Sequence, residues 1–395
     1  MGLKKVHIGK IIKQIRPSVS EFFNRMQRPG KVTVCVTDNT RPFPEKEILP
    51  HLLDSLEAEG LSKSQITILV ATGLHRHLTK EELTKKFGRD ITESYRIIQN
   101  DPDDVVSQGR IFGINRVLAG SDALFGTGVF EPHQYAGFSG GNKIFIIGCG
   151  GRETIDYTHS PEMILRKGVR LGNIRNNPFR KFIEKSAGML PPRWIVNIVL
   201  NEKSEIVKYS MGEPEKVFYS LSDYYFRNLT YKFTERYDAV FVSISETKGT
   251  NLYQASRGAT YMALSESPVI KRGAPVIVSA SLEEGFGSGE GEREFLRILS
   301  SKLKNGELLR RLRSERISGG GQRAVMLLKT LLCHPVIFTG YKKKISFTRE
   351  NLYFIESSSL AIDMVISSFR AKKILFIRNP FAGLFRFSEG SKSDI

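Results

Sequence analysis

Between Glu131 and His159 the chain gathers a glycine-rich loop, Gly137-Phe138-Ser139-Gly140-Gly141-Asn142-Lys143, and two imidazoles, His133 and His159. Successive backbone N–H groups in a tight glycine turn can cradle a phosphate. A lysine beside such a nest can clamp that phosphate, form a Schiff base or anchor a covalent group. The specific nucleotide-binding patterns do not fit, because Asn142 separates Gly141 from Lys143, no Ser or Thr follows, and no GxGxxG closes a first strand. Standing alone, the loop reads at least as well as a structural turn.

Its neighbours change the weighting. The chain has only seven histidines, and His75, like His133 and His159, follows a strand-end or glycine-loop signal. Imidazole moves protons near neutral pH or ligates a borderline metal such as zinc or nickel, so one ligand beside two acid/bases is chemically coherent. His77 is assigned to the surface. No HExxH or paired carboxylate cluster offers a zinc or magnesium site. Ser139 lacks a nucleophile elbow and Cys35 sits inside a strand, which argues against a hydrolase. Further on, Asn251-Leu252-Tyr253-Gln254-Ala255-Ser256-Arg257 opens a helix. Tyr253, Gln254 and Arg257 are spaced to meet on one helix face, suiting either a carboxylate or, equally, a cap with a surface ion pair.

These residues need elements to position them. Lys31 to Val36 and Gln65 to Val70 read as buried strands, with a helix from Glu45 to Glu59 between them that is stopped by Gly60 and complicated by Pro50. A βαβ unit makes the strands parallel and places Asp38, Arg41 and His75 on the rim at their carboxyl ends. Thr79 and Glu82 predict a capping box. A strand from Ala123 to Phe130 delivers His133 and the glycine loop. The pattern restarts near Tyr237, with strands at Asp238 to Ile244 and Pro275 to Val278 and a helix from Leu252 to Leu264. Helices at Glu292 to Lys304 and Gln322 to Leu332 and apolar runs near Val336 and Lys373 continue it, with a flexible loop from Ser314 to Gln322.

Composition bounds the possibilities. A chain of 395 residues, 40% hydrophobic, suits two domains. We divide it into 1–235, a cofactor-binding α/β domain, and 236–395, a Rossmann-like α/β domain whose last residues are left open to return to the first. The formal charge of +18 suits nucleic acid, an anionic membrane or an anionic small molecule. Basic runs at Arg310-Arg311-Leu312-Arg313 and Lys342-Lys343-Lys344 lack interleaved aromatics or a Cys/His finger, so they read as solvated faces. Three scattered cysteines suggest neither disulfides nor a metal site and fit a reducing cytoplasm. No apolar run approaches a membrane span, and the basic start lacks a signal-peptide core and a myristoylation serine.

Taken together, Asp38-Asn39-Thr40-Arg41-Pro42, Ala71-Thr72-Gly73-Leu74-His75-Arg76, Glu131-Pro132-His133, the glycine loop with Lys143, Thr154-Ile155 with His159, Asn251-Leu252-Tyr253-Gln254 and Glu284-Gly285-Phe286-Gly287 resemble the nickel-dependent lactate racemase family. The resemblance implies two α/β domains with largely parallel sheets enclosing an interdomain active-site cleft. It implies nickel in a pincer cofactor, pyridinium-3,5-bisthiocarboxylic acid mononucleotide, made by separate biosynthesis enzymes. Lys143 would anchor it, with covalent retention left open, and His159 would ligate the metal. Ser139, Gly140, Gly141, Asp38 and Thr40 complete the cofactor-binding set, the nest holding the phosphate and Asp38 orienting its neighbours. His75 and His133 would be the acid/base pair, while Arg41, Tyr253, Gln254 and Arg257 bind a small anionic 2-hydroxy acid.

The implied reaction passes the C2 hydrogen as hydride to the cofactor, lets the keto acid reorient, and returns hydride and proton to the opposite face. Three positions depart from the family pattern. Arg257 replaces a lysine, which points away from lactate itself. Ile147-Gly148 replaces Pro-Gly, and His77 stands where proline is common. A pincer-binding homologue with a different hydride-transfer or carrier role is the alternative, and a basic anion-binding or nucleic-acid-binding protein a remote one.

Overall fold

The computed structural model describes residues 3–108, 111–244, 246–317, 319–342, 345 and 347–389. Lys343 and Lys344 of the second basic run, and Ser318 of the loop expected from Ser314 to Gln322, lie outside those residues. The chain folds into two compact units, the first built from Met1–Glu131, Phe138–Thr158 and Phe179–Asn228, the second from Pro132–Gly137, His159–Pro178 and Leu229–Ile395. The short segments carrying His133 and His159 therefore group with the later part of the chain, an exchange that a single division near residue 235 does not describe.

The first unit is organised by a six-stranded sheet in the order 206–212, 193–200, 123–129, 32–37, 66–71, 96–99. All pairs are parallel except Ile206–Gly212 against Arg193–Leu200. Its central strands Val32–Thr37 and Ala123–Val129 are buried throughout, as expected where both faces of a parallel sheet are covered. Helix Ile8–Phe23 lays Ile11, Ile15 and Val19 on this sheet. Helix Glu45–Ala58 forms across Pro50 because Ile48, Leu49, Leu52, Leu53 and Leu56 all bury on one side, and burial of that apolar face outweighs one lost backbone bond. Gly60 follows it at φ +89°, and the Thr79–Glu82 capping box is present, with Thr79 N–H donating to Glu82 at 2.8 Å and Glu82 N–H to Thr79 Oγ1 at 3.3 Å.

The second unit has a five-stranded, wholly parallel sheet in the order 352–355, 336–339, 276–279, 239–243, 374–377. A parallel two-strand ribbon joins Thr230–Phe233 to Leu384–Phe387. Helix Leu252–Ala263 matches its expectation, whereas the helix expected to reach Lys304 spans only Glu290–Leu299. The cause is Arg349, whose Nη1 donates to the carbonyls of Leu299 (3.3 Å) and Ser301 (2.6 Å) and so satisfies the helix end there. Both units are α/β with parallel-dominated sheets.

Candidate active site

In the first unit the sheet does the positioning. Strands Val32–Thr37 and Ile66–Ala71 pair in parallel with Thr37 opposite Ala71, and Ala123–Val129 flanks the former on its other side. Asp38, Arg41, His75 and Glu131 thus leave the carboxyl ends of three adjacent strands, where ligands of such sheets bind. Asp38 is buried, and its Oδ2 lies 2.7 Å from Nδ1 of the exposed His75. Its Oδ1 accepts from Thr40 N–H at 3.1 Å and Thr40 Oγ1 at 2.6 Å. Burial pushes the Asp38 carboxyl up, but the hydrogen bond and charge of His75 and the Thr40 donors outweigh it and hold the acid below its ordinary value. An ionised Asp38 holds the proton on Nδ1, leaving the Nε2 lone pair of His75 as a base. Thr40 therefore acts through Asp38.

This pairing makes a prediction. Asp38→Asn should lower kcat by about 10²-fold or more, since an amide no longer enforces that tautomer. The check is kcat and KM measured separately, an unchanged kcat removing Asp38 from the mechanism. Because its pKa is depressed on folding, Asp38 stabilises the fold above its unfolded pKa, near about 3.9, and that stability fades as pH falls through the lower folded value. The asparagine variant should lose this part of the acid sensitivity.

Arg41 forms an ion pair with Glu131. Lys143 follows the glycine loop and leads directly into a π-helical turn, Ile144–Gly148, that buries Phe145, Ile146 and Ile147. This is where the sequence carries Ile147-Gly148 instead of Pro-Gly. Gly73 N–H donates to Gly148 O at 2.9 Å, and Asn100 Nδ2 reaches Gly150 O at 3.2 Å, so the His75 loop and the Lys143 segment brace one another. Lys143 is half-buried by surface area, yet loss of solvation, then the charges of Arg41 and Arg180, bring its amine down to about 7. At neutral pH much of it is an uncharged nucleophile.

The glycine loop itself is spent on packing. Ser139 N–H donates to Glu131 O at 2.8 Å, Ser139 Oγ donates to Val129 O at 2.7 Å and accepts from Glu131 N–H at 2.9 Å, and Gly141 N–H donates to Asn197 Oδ1 at 2.9 Å. A Cβ on Gly140, at φ +81°, would stand 2.7 Å from Asn197 Oδ1, so this glycine is needed for close approach. Two of the three N–H groups of Ser139 to Gly141 are thus donated within the protein. Beneath the loop, buried Arg180 donates to Phe138 O and to Glu184 (3.1 Å) and lies 3.9 Å from the Phe218 ring centroid. Glu184 in turn accepts from Asn142 at 2.6 Å.

In the second unit, Tyr135 organises two histidines. Its ring meets His133 edge-on at 5.6 Å and His159 at 5.5 Å. His133 Nδ1 accepts from the N–H groups of Tyr135 (3.3 Å) and Ala136 (3.2 Å), which puts the proton of a neutral ring on Nε2. The two proposed acid/bases are thus wired oppositely, His75 offering a lone pair and His133 an N–H. Asn251 caps helix Leu252–Ala263 through Gln254 N–H (2.9 Å) and donates to Glu284 at 2.9 Å, joining the two motifs that carry Tyr253 and the Glu284 turn. Arg257 donates from Nε to Gln254 O at 3.3 Å, and its Cζ lies 5.1 Å from the Phe381 ring centroid. Tyr135 was missed by sequence reasoning, although the His133-x-Tyr135 spacing could have flagged it.

Among the described residues no group of three or more His, Cys, Asp or Glu could hold a metal ion, and no helix is long and apolar enough to cross a membrane. Residues 5–172 match the family described as the lactate racemase N-terminal domain. The lactate racemase of Thermoanaerobacterium thermosaccharolyticum is 27% identical over 328 residues, 81% of this chain and 75% of that protein. The lactate racemase of Lactiplantibacillus plantarum is 32% identical over 268 residues, covering 66% of this chain and 62% of that protein. The solved structure of the T. thermosaccharolyticum lactate racemase apoprotein superposes with a TM-score of 0.83 at 25% identity, covering 94% of this chain and 93% of that one. A Thermotoga maritima protein shares the fold, with a TM-score of 0.70 at 18% identity over 95% of this chain and 98% of its own.

Proposed function

We propose that the chain is a member of the lactate racemase family, whose N-terminal domain model and lactate racemase relatives it matches, and that it interconverts the enantiomers of a 2-hydroxy acid by reversible hydride transfer from C2. The observation that carries this reading is the pair of oppositely wired imidazoles, His75 on Asp38 and His133 on two backbone N–H groups. A racemase needs one group to take the hydroxyl proton and another to return it from the other side.

The residues present fit the nickel pincer cofactor. Lys143 carries an amine that titrates at about 7, the form needed to attach it covalently. His159 is a single imidazole held by Tyr135, and one protein ligand suffices when the cofactor supplies the other donors. When bound, the group supplies a reversible hydride acceptor. His75 Nε2 takes the hydroxyl proton from one enantiomer, and His133 supplies a proton when the keto acid is returned from its other face. Arg41, held by Glu131, polarises the substrate oxygen, and Tyr253, Gln254 and Arg257 hold the carboxylate. We propose that both sets serve one turnover. The glycine loop supports Lys143 mechanically. Cofactor-forming enzymes are the implied partners, and the reducing cytoplasm the compartment.

The experiment is to produce the chain together with cofactor-forming enzymes, measure nickel, and follow single-enantiomer 2-hydroxy acids by chiral chromatography. Near-equimolar nickel with interconversion is expected. A well-folded chain without nickel, beside a control racemase loaded in parallel, would mean that the fold is kept without the chemistry. Nickel bound without turnover of any acid would favour the carrier reading.

A further inference from the structure

Arg323 stands in the first turn of helix Gly321–Leu331, with its Cζ 4.0 Å from the centroid of the Tyr253 ring. Its Nη1 donates to Tyr253 O at 3.1 Å and to Gln254 Oε1 at 3.0 Å. Its Nε and Nη2 have no acceptor, and no Asp or Glu pairs with it, among the described residues. A half-buried guanidinium without a carboxylate is costly to hold, and stacking on Tyr253 offsets only part of that cost.

Holding Gln254 has a second consequence. With Oε1 committed to Arg323, the amide presents its NH₂ outward. The Tyr253 hydroxyl and Gln254 Nε2 have no hydrogen-bond partner among the described residues. Unspent donors from three side chains therefore gather at the start of helix Leu252–Ala263, beside Arg257 on the same helix. One fork, helped by Tyr253 and Gln254, satisfies one carboxylate. Two exceed what a simple monocarboxylate can use.

We infer that Arg323 is a specificity-determining residue that takes a second anionic group of the substrate, so that the acid is a 2-hydroxy dicarboxylate. This deepens the racemase reading and rests on it. A purely structural Arg323 would matter equally for every substrate, whereas a recognition residue matters most for the acid whose second charge it meets.

The test uses the nickel-loaded holoprotein, with L-malate as the dicarboxylate probe and L-lactate as the monocarboxylate probe. Wild type should prefer malate in kcat/KM. Arg323→Gln should lower kcat/KM for malate by about 30-fold to 1000-fold, mostly through KM, and this loss should exceed the lactate loss at least about tenfold. Arg323→Lys should recover part of it, since the charge returns without the fork. Calorimetry adds a readout independent of turnover: succinate should bind more tightly than propionate in wild type but not in Arg323→Gln. Equal losses for both acids, or a wild type that prefers lactate and binds succinate no better than propionate, would overturn the inference. Racemisation of lactate alone defeats this inference while sparing the racemase reading. Arg323-dependent succinate binding without turnover of either acid supports the anion site and defeats the racemase reading.

Discussion

Replacing either His75 or His133 by alanine is expected to slow interconversion by about 10²-fold to 10⁴-fold, the range for losing a positioned acid/base. Both losses should appear in kcat, because neither imidazole is assigned to binding the carboxylate. Nickel content should be unchanged in both, since the metal is assigned to His159 and the anchor to Lys143. The two variants should also differ from each other. His75 is fixed through Asp38 at 2.7 Å, whereas His133 is fixed by two backbone donors at 3.3 and 3.2 Å that no side-chain substitution removes. Asp38→Asn should therefore reproduce part of the His75→Ala defect, with no single partner substitution doing the same for His133. Full activity in either alanine variant would take that residue out of the mechanism.

The second large effect is at Lys143. Lys143→Met should abolish covalent retention of the cofactor and with it turnover, and Lys143→Arg should not rescue either, since a guanidinium stays protonated and is no acyl acceptor. The same variant should be more stable than wild type by about 1–3 kcal/mol at neutral pH. Burial lowers the amine from 10.5 to about 7. Between those values the unfolded chain binds the proton that the folded chain gives up, so wild-type stability rises with pH across that window, and the methionine variant should lack that rise. Reaction of the cofactor-free chain with an amine-acylating reagent, followed by mass spectrometry against pH, should show Lys143 modified with a midpoint near about 7. A midpoint near that of ordinary lysines would refute the activated amine.

Much of the framework was legible in the sequence. Continuous β-branched runs marked Val32–Thr37 and Ile66–Ala71 as buried parallel strands, and the rule that ligands sit at strand carboxyl ends placed Asp38, Arg41 and His75 on one rim. The Thr79–Glu82 capping box and the helix from Leu252 are set by local chemistry and were read correctly. What the sequence did not reveal depended on distant partners. The Ser139 to Gly141 loop has the composition of a phosphate nest, but Asn197, more than fifty positions away, takes the Gly141 N–H. Arg323 lies in a glycine-flanked helix start with no motif, and only tertiary structure brings it to Tyr253 and Gln254. The helix expected to run to Lys304 ends at Leu299 because Arg349, from a later segment, accepts the role of its cap. Periodicity reports which face is buried, not which polar group arrives to meet it.

The most direct measurement of the central claim is the fate of the C2 hydrogen. A single enantiomer of a 2-hydroxy acid that the loaded chain accepts is incubated in D₂O, the opposite enantiomer is isolated, and its C2 position is read by NMR. Hydride transfer out and back predicts that the product keeps protium at C2, because that hydrogen never exchanges with solvent. Deuterium at C2 would show that the chain removes a proton instead, and would contradict the account.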